Sequence, residues 1–345
     1  MGQDQLPLVT AVVPVYNHEK YVVECIRSVI GQNYPNVELI VINDGSKDRS
    51  NEMVLTVIEE CKRRFARFEY INRENRGLSA TLNQALEMSQ GKYLGPLASD
   101  DIILADKFTC LVEALESGED SYAAAFGNAA FIGNQGQEIH LDAEGRAQLL
   151  KSDKTYSKYL DFYTREVNDH VGRDGSGFSG SVPAGKTEFG TYRSLLDGCY
   201  LPAMSSLLKT AIVKEVGGWT DGNVSEDWEM WLKLSKRYKL IFVDKTLALY
   251  RLHGSNSWDS MPQQLQHASL LLLAREREYC SQNGLTREWK DRFYGLLYWV
   301  LRYGNGPIKE KVQELRTLQL SDVPSLSAFL ARAGYKKLFR HKSPA

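Results

Sequence analysis

The chain has 345 residues, 43% of them hydrophobic and 25% charged, which fits a folded globular protein of one large or two ordinary domains. A formal net charge of −1 excludes a general nucleic-acid binder, whose affinity comes from neutralising many phosphates. The five scattered cysteines (Cys25, Cys61, Cys110, Cys199, Cys280) include no Cys-x-x-Cys pair and indicate neither a zinc knuckle nor a disulfide framework, so a reducing cytoplasm is the expected compartment.

No basic and apolar leader precedes the first strand, near Leu8, and no secretory signal is expected. No apolar run reaches the roughly 18 residues that span a bilayer, so a soluble or peripheral protein is expected. Residues 8–14 are short and β-branched, the pattern of a buried strand. In residues 19–30, Val22, Cys25, Ile26, Val29 and Ile30 recur at helical spacing. Strands are predicted at 37–42, 68–71 and 93–97, alternating with helices at 48–65, 78–88 and 103–115. This alternation with short connectors predicts an α/β fold, a mostly parallel central sheet flanked by helices. Residues 122–132 read as a longer strand, with Gly127 marking a bulge.

Residues 134–198 are polar and irregular, and the Gly/Ser-rich subsegment 172–181 reads either as a substrate-gating lid or as a disordered insertion. Order returns at Leu201. Gly217-Gly218-Trp219 is a turn, and Glu226-Asp227-Trp228 opens a helix. Residues 240–243 and 246–251 read as strands, 262–303 as strongly helical, and two weaker helices follow Pro307. The expected division is a domain over 1–258, with 134–198 as an acceptor-side insertion, and a C-terminal helical extension over 259–345.

The strand at 93–97 ends in Ser99-Asp100-Asp101. A parallel strand that delivers charge at its C-terminal end delivers it to the usual ligand crevice of an open α/β sheet. Two adjacent carboxylates repel unless a cation sits beside them, and hard oxygen ligands favour Mg, Mn or Ca. The alternative is a helix cap at Ser99 or Asp100. Tyr16-Asn17 and Asp44-Gly45-Ser46 are turns at the same sheet edge, and Ser225, Glu226 and Asp227 have the composition of a helix N-cap.

Taken in order, these segments resemble the family 2 inverting glycosyltransferases, which have the nucleotide-sugar-binding fold called GT-A. The resemblance covers about residues 7–258 and rests on Val12-Val13-Pro14-Val15-Tyr16-Asn17, Ile42-Asn43-Asp44-Gly45-Ser46, Asn75-Arg76-Gly77-Leu78-Ser79 with Asn83-Gln84-Ala85, Ala98-Ser99-Asp100-Asp101, Gly217-Gly218-Trp219 with Ser225-Glu226-Asp227-Trp228, and Tyr250-Arg251-Leu252-His253. Asn43 departs from the family's first acid in the second motif, and Ser99 stands where a longer form of the acidic motif often has an acid.

The resemblance implies a UDP-sugar donor, with a dTDP-sugar as the variant. Asp44 is expected to accept the imide N–H of the base, Tyr16 to stack on it, and Pro14, Val15 and Asn17 to border the pocket. Arg76 is expected at the base or diphosphate, or else is a solvated surface arginine. Asp101 is the expected metal ligand with His253, holding Mn or Mg, while Asp100 faces the ribose or donor sugar. Asp227 matches the catalytic base, and Glu226 orients it or binds acceptor.

The resemblance also implies a glycan or lipid-linked acceptor in bacterial surface polysaccharide synthesis. Tyr156, Tyr159, Phe162 and Tyr163 read as sugar-stacking or as core. Residues 325–345 read as a basic amphipathic segment touching the inner face of a membrane, or as a solvated tail. A sugar nucleotidyltransferase would need a Gly-rich phosphate loop near the N-terminus, which the turn after Val13 lacks. The remaining alternative is a non-catalytic nucleotide-sugar or carbohydrate binder with an inherited fold.

Overall fold

The computed structural model describes residues 6–141, 147–149 and 189–303. The 172–181 loop, the aromatics at 156–163, the helices beyond Pro307 and the 325–345 tail lie outside the described residues. The chain divides into two compact units, one of residues 1–195 with 199–254, the other of 196–198 with 255–345.

In the first unit the strands are β1 (Val9–Val15), β2 (Val37–Asp44), β3 (Arg67–Arg73), β4 (Tyr93–Pro96), β5 (Ile102–Ile103), β6 (Tyr122–Ile132), β7 (Glu138–Leu141), β8 (Ala147–Leu149), β9 (Ser206–Lys209) and β10 (Lys239–Arg251). The helices between them are α1 (Val22–Ile30), α2 (Ser50–Leu55), α3 (Ile58–Arg64), α4 (Leu78–Met88), α5 (Lys107–Ser117), α6 (Tyr192–Leu196), α7 (Thr210–Glu215) and α8 (Glu226–Ser235). The sheet runs β3-β2-β1-β4-β9-β6-β10-β5, with the β7–β8 hairpin paired to β6.

Strands β3, β2, β1 and β4 are parallel, whereas β9 lies antiparallel to both β4 and β6. Two reversals restore direction, so β6 and its parallel partner β10 point the same way as β4. The C-terminal ends of β1, β2, β4 and β10 therefore share one edge. Strands β1 and β2 are buried on both faces, with α1 against β1 and α4 against both; Val9, Val13, Leu39 and Val41 are fully buried on one face, Ile40 and Ile42 on the other.

Three local expectations change. The helix predicted over 48–65 breaks between Leu55 and Ile58, where β-branched Thr56 turns its hydroxyl back to the Met53 carbonyl at 2.6 Å. Ile102 and Ile103 form a strand because they pair with Leu249 and Ala248, and the helix starts only at Lys107. The two strands predicted at 240–251 are one, whose register against β6 slips between Val243 and Thr246 at the polar pair Asp244-Lys245. Gly127 faces that slip, and a Cβ there would lie 2.5 Å from Leu247.

The second unit contains α9 (Ser257–Ser260), α10 (Pro262–Arg275), α11 (Arg277–Gln282) and α12 (Thr286–Tyr303). Pro262 occupies the first turn of α10, where its missing N–H costs nothing. Trp289 stacks on Phe293 with ring centroids 4.9 Å apart, donates to the Leu273 carbonyl at 2.6 Å and carries the Arg277 guanidinium at 4.6 Å. Among the described residues no helix is long and apolar enough to cross a membrane.

One buried carboxylate fastens the parallel half of the sheet. Glu38, its side chain fully buried, accepts from the Thr10 hydroxyl, from the Gln90 and Gly91 amides at 2.7 and 3.1 Å, and from Arg67 at 2.9 Å. It links β1, β2 and β3 to the turn that starts β4. Removing one member of such a network leaves the others buried and unpaired. Glu38→Ala is expected to lower the unfolding free energy by about 3 kcal/mol, measured by urea denaturation; a loss within experimental error would mean that the network contributes nothing.

Candidate active site

The shared sheet edge is built from turns that bind one another. Asn17 has a left-handed backbone (φ 55°), which asparagine tolerates better than most residues. Its side-chain carbonyl accepts the Lys47 amide at 2.7 Å, and its own amide donates to the Ser46 hydroxyl at 3.0 Å. The His18 amide donates to Ser50 Oγ at 2.8 Å. The turn after β1 is thus laced to the turn after β2. Gly45 is required there, with φ 70° and only 2.5 Å between a notional Cβ and the Asn75 nitrogen. Beside it Tyr16 is 43% exposed, Pro14 is half-buried and Val15 is buried.

Beyond β4 the two adjacent aspartates part. Asp101 is buried, and its Oδ1 accepts the Arg251 amide at 2.9 Å. Burial first and Asp100 second push its carboxyl well above the usual carboxylate range. The Asp100 side chain instead lies with two histidines. Its Oδ2 is 3.0 Å from His253 Nε2 and 3.7 Å from His18 Nε2. Burial works to raise the Asp100 carboxyl, but the His253 hydrogen bond and the charges of His18 and His253 hold it below its ordinary value.

His18 Nδ1 is 2.8 Å from Ser99 Oγ, and Tyr21 stacks on the His253 ring at 4.9 Å. Burial, then His253, holds the His18 pKa below its ordinary value, against the pull of Asp100. One donor atom from each of His18, Asp100 and His253 lies within 4.8 Å of the others. Two imidazoles and a carboxylate at that spacing are a donor set that fits a divalent cation. Asp101, the ligand expected from sequence, is outside this group.

Asp44 closes β2 and organises the start of α4. Its carboxylate accepts the Arg76 and Gly77 amides, each at 2.9 Å, and pairs with Arg73. Asn75 returns a side-chain bond to the Asp44 carbonyl at 2.9 Å, while Arg76 is exposed. Further along α4, Asn83 accepts the Trp219 amide at 2.9 Å and donates to the Trp219 carbonyl at 2.7 Å, and Ser79 donates to the Asn223 carbonyl at 3.1 Å. Asn223 in turn accepts the Ser225 amide at 3.0 Å and donates to Glu229 at 2.7 Å. The loop before α8 is thereby held against the first turns of α4.

Glu226 and Asp227 open α8, half-buried, above the buried Trp228 and Trp231. Trp228 Nε1 donates to the Leu195 carbonyl at 2.7 Å. Asp227 Oδ1 accepts the Trp228 amide at 2.6 Å, and the Cys199 thiol lies 3.4 Å from Oδ2. Burial raises the Asp227 carboxyl, while the Trp228 amide and the Cys199 thiol oppose that rise. Burial and then Asp227 push Glu226 up to about 8. At neutral pH the pair therefore holds a proton on Glu226 beside an ionisable Asp227.

Sequence reasoning missed His18, Tyr21 and Cys199. His18 follows Tyr16-Asn17 directly, and a histidine in a turn at the crevice edge was the available signal. Nothing in the sequence ties Cys199 to Asp227.

The sequence model described as "Glycosyl transferase family 2" matches residues 10–177. An uncharacterized glycosyltransferase of Rickettsia typhi is 24% identical over 267 residues, 77% of this chain and 70% of that protein. Another, of Haemophilus influenzae, is 37% identical over 136 residues, 39% of this chain and 52% of that protein. Among solved structures, S. aureus TarS 1-349 in complex with UDP-GlcNAc is similar with a TM-score of 0.61 and 14% identity, over 89% of this chain and 79% of that one. The mannosyltransferase PcManGT from Pyrobaculum calidifontis, in complex with GDP-Man and Mn2+, has a TM-score of 0.52 and 14% identity, over 98% and 82%. These structural likenesses establish a GT-A fold.

The raised Glu226 carboxyl has a consequence for stability. In the folded chain it keeps its proton to about pH 8, against 4.5 for an ordinary glutamate, so the folded state binds more protons than the unfolded state between those values. Stability contributed by this group is full below about 4.5 and is lost as pH rises through about 8. Glu226→Gln is expected to flatten that decline, gaining on the parent steadily across the window, in urea midpoints taken at several pH values. Parallel profiles for the two proteins would place Glu226 at its ordinary pKa.

Proposed function

For a chain whose residues 10–177 match the glycosyl transferase family 2 model and whose fold is GT-A, we propose membership of that family and a metal-dependent inverting transfer of a sugar from a UDP-sugar, or a dTDP-sugar, to a hydroxyl of a glycan or lipid-linked acceptor. The observation that carries this reading is the gathering of three groups of residues: Tyr16 and Asp44 at the ends of β1 and β2, Asp100 and His253 at the ends of β4 and β10, and the Glu226–Asp227 pair tied to α4 through Asn223 and Ser79.

In this reading exposed Tyr16 stacks on the base, and Pro14, Val15 and Asn17 border it. Asp44 already accepts three internal donors. A carboxylate offers about four acceptor positions, which leaves one for an imide N–H. Arg76, exposed beside it, reaches for the base or the diphosphate. TarS in complex with UDP-GlcNAc supports a uridine donor by analogy of fold alone.

Asp100 and His253 would hold the cation, with Mn or Mg as candidates. The cation, when bound, would neutralise charge on the diphosphate leaving group. Asp101 supports the site by fixing β10 through the Arg251 amide. The acceptor oxygen attacks the anomeric carbon from the face opposite the diphosphate, and its new bond forms as the carbon–oxygen bond to the nucleotide breaks. The electron pair leaves with the nucleoside diphosphate. Asp227 takes the acceptor's hydroxyl proton, and inversion follows from the single displacement. Glu226, protonated near neutral pH, is free to donate a hydrogen bond to a sugar oxygen. Residues 1–258 carry the transfer and 259–345 form an extension. Bacterial surface polysaccharide assembly, with the basic segment 325–345 at the inner membrane face, is the setting proposed for the lipid-linked case.

Asp227→Asn is expected to abolish sugar transfer, by at least about a hundredfold, while a thermal-shift titration with UDP stays unchanged. Near-parental turnover in the variant would remove Asp227 from the chemistry. A thermal-shift screen of nucleotide-sugars with Mn2+ identifies the donor. UDP release that is the same with EDTA as with Mn2+ would refute metal dependence.

A further inference from the structure

We propose that His18 is a third protein ligand of the cation held by Asp100 and His253, so that the site offers two imidazole nitrogens and one carboxylate oxygen. The inference rests on the assignment of Asp100 and His253 to the cation made above, and adds to it a donor and a metal preference.

His18 is fixed from every side. Its amide is bound by Ser50 at 2.8 Å, and its carbonyl accepts the Tyr21 and Val22 amides at 3.0 Å each, at the start of α1. Its Nδ1 sits 2.8 Å from Ser99 Oγ. With Nδ1 donating to that hydroxyl, Nε2 keeps its lone pair and faces Asp100. A metal-ligating histidine is commonly oriented in this way by a bond from its other nitrogen. Ser99 is the residue before Asp100, so one loop orients one ligand and supplies the next. The His18 and His253 rings meet edge to face at 5.8 Å and 76°.

The spacing is close to that of donors sharing one ion. Two donors each bound at about 2.1 Å lie roughly 3.0 to 3.4 Å apart for right-angle to tetrahedral geometry. His253 Nε2 stands 3.0 Å from Asp100 Oδ2, and His18 Nε2 stands 3.7 Å from it. The first lies in that range; the second is slightly beyond it and too long for a hydrogen bond. The His18 side chain is 24% exposed, against 3% for His253, so the ligand on the open side of the site is His18. A site with two nitrogens prefers Mn, Co or Zn to Mg or Ca, which favour oxygen shells.

The test uses the full chain with Mn2+, alone and with UDP, followed by electron paramagnetic resonance of the unbound ion. The parent is expected to bind Mn2+, with Mg2+ competing only in large excess. His18→Ala and His18→Asn, each checked for a parental thermal melt, are expected to weaken Mn2+ binding at least tenfold, and Asp100→Asn to weaken it as much or more. Electron spin-echo modulation of Mn2+ in the unmutated protein should report two coupled imidazole nitrogens, which needs no variant to fold. A single nitrogen, or parental affinity in both His18 variants, would overturn the role of His18 while loss in Asp100→Asn left the Asp100 assignment standing. Parental affinity in Asp100→Asn, or no Mn2+ binding by the parent, would overturn both.

Discussion

The site depends on the capture of the end of β10 by the aspartate loop. Arg251 is 1% exposed, a costly position for a guanidinium, and its surroundings answer nearly every donor. Its amide goes to the Asp101 carboxylate, Nε to the Asp100 carbonyl at 2.9 Å, one terminal nitrogen to Glu24 at 2.6 Å and the other to the Gly133 carbonyl at 3.3 Å. Its plane also covers Tyr21 at 5.0 Å. One side chain thus joins β10, the loop after β4, α1 and the turn after β6. His253 comes two residues later and has little freedom except to meet Asp100. The same arrangement separates the two acids: Asp101 gives one oxygen to the Arg251 amide, and Asp100 turns toward His18 and His253.

A second connection runs through α4. Its start is set by Asp44, and its first turns hold the loop that leads into α8. Asp44 and the Glu226–Asp227 pair are far apart in sequence, yet both are tied to the first turns of α4. A substitution at Asn83 would act on the acid pair without touching any ligand, by loosening Trp219 and the loop behind it.

Much of this was legible in sequence. The β-α-β alternation over the first hundred residues follows from apolar runs such as 37–42 and from helical spacing in α1, where local pattern and final burial agree. Asp100 and Asp101 stood out at the end of a buried strand, but the dipeptide alone read equally as a helix cap. What was not legible was long-range pairing. Ile102 and Ile103 are β-branched but too short a run to read as a strand, and they become one because β10 arrives beside them. Which of Asp100 and Asp101 turns toward the histidines was likewise not readable from a dipeptide, since it depends on Arg251, 150 positions later. His18 and Cys199 acquire their partners only through such distant contacts.

The placement of β9 bears on the order in which the chain can assemble. Strands β1 to β4 pair through local crossovers and can form as soon as the first hundred residues exist. The neighbour that completes β4 is β9, separated from β6 by residues 133–205, and it meets β4 at only Tyr93↔Lys209 and Leu94↔Leu208. Until that late and short pairing is made, the nascent sheet carries an open apolar edge at its middle, where a second chain could add instead. The two halves of the sheet edge come into register only when β9 closes that gap, so a half-made chain holds the turns after β1 and β2 without the strand that brings His253.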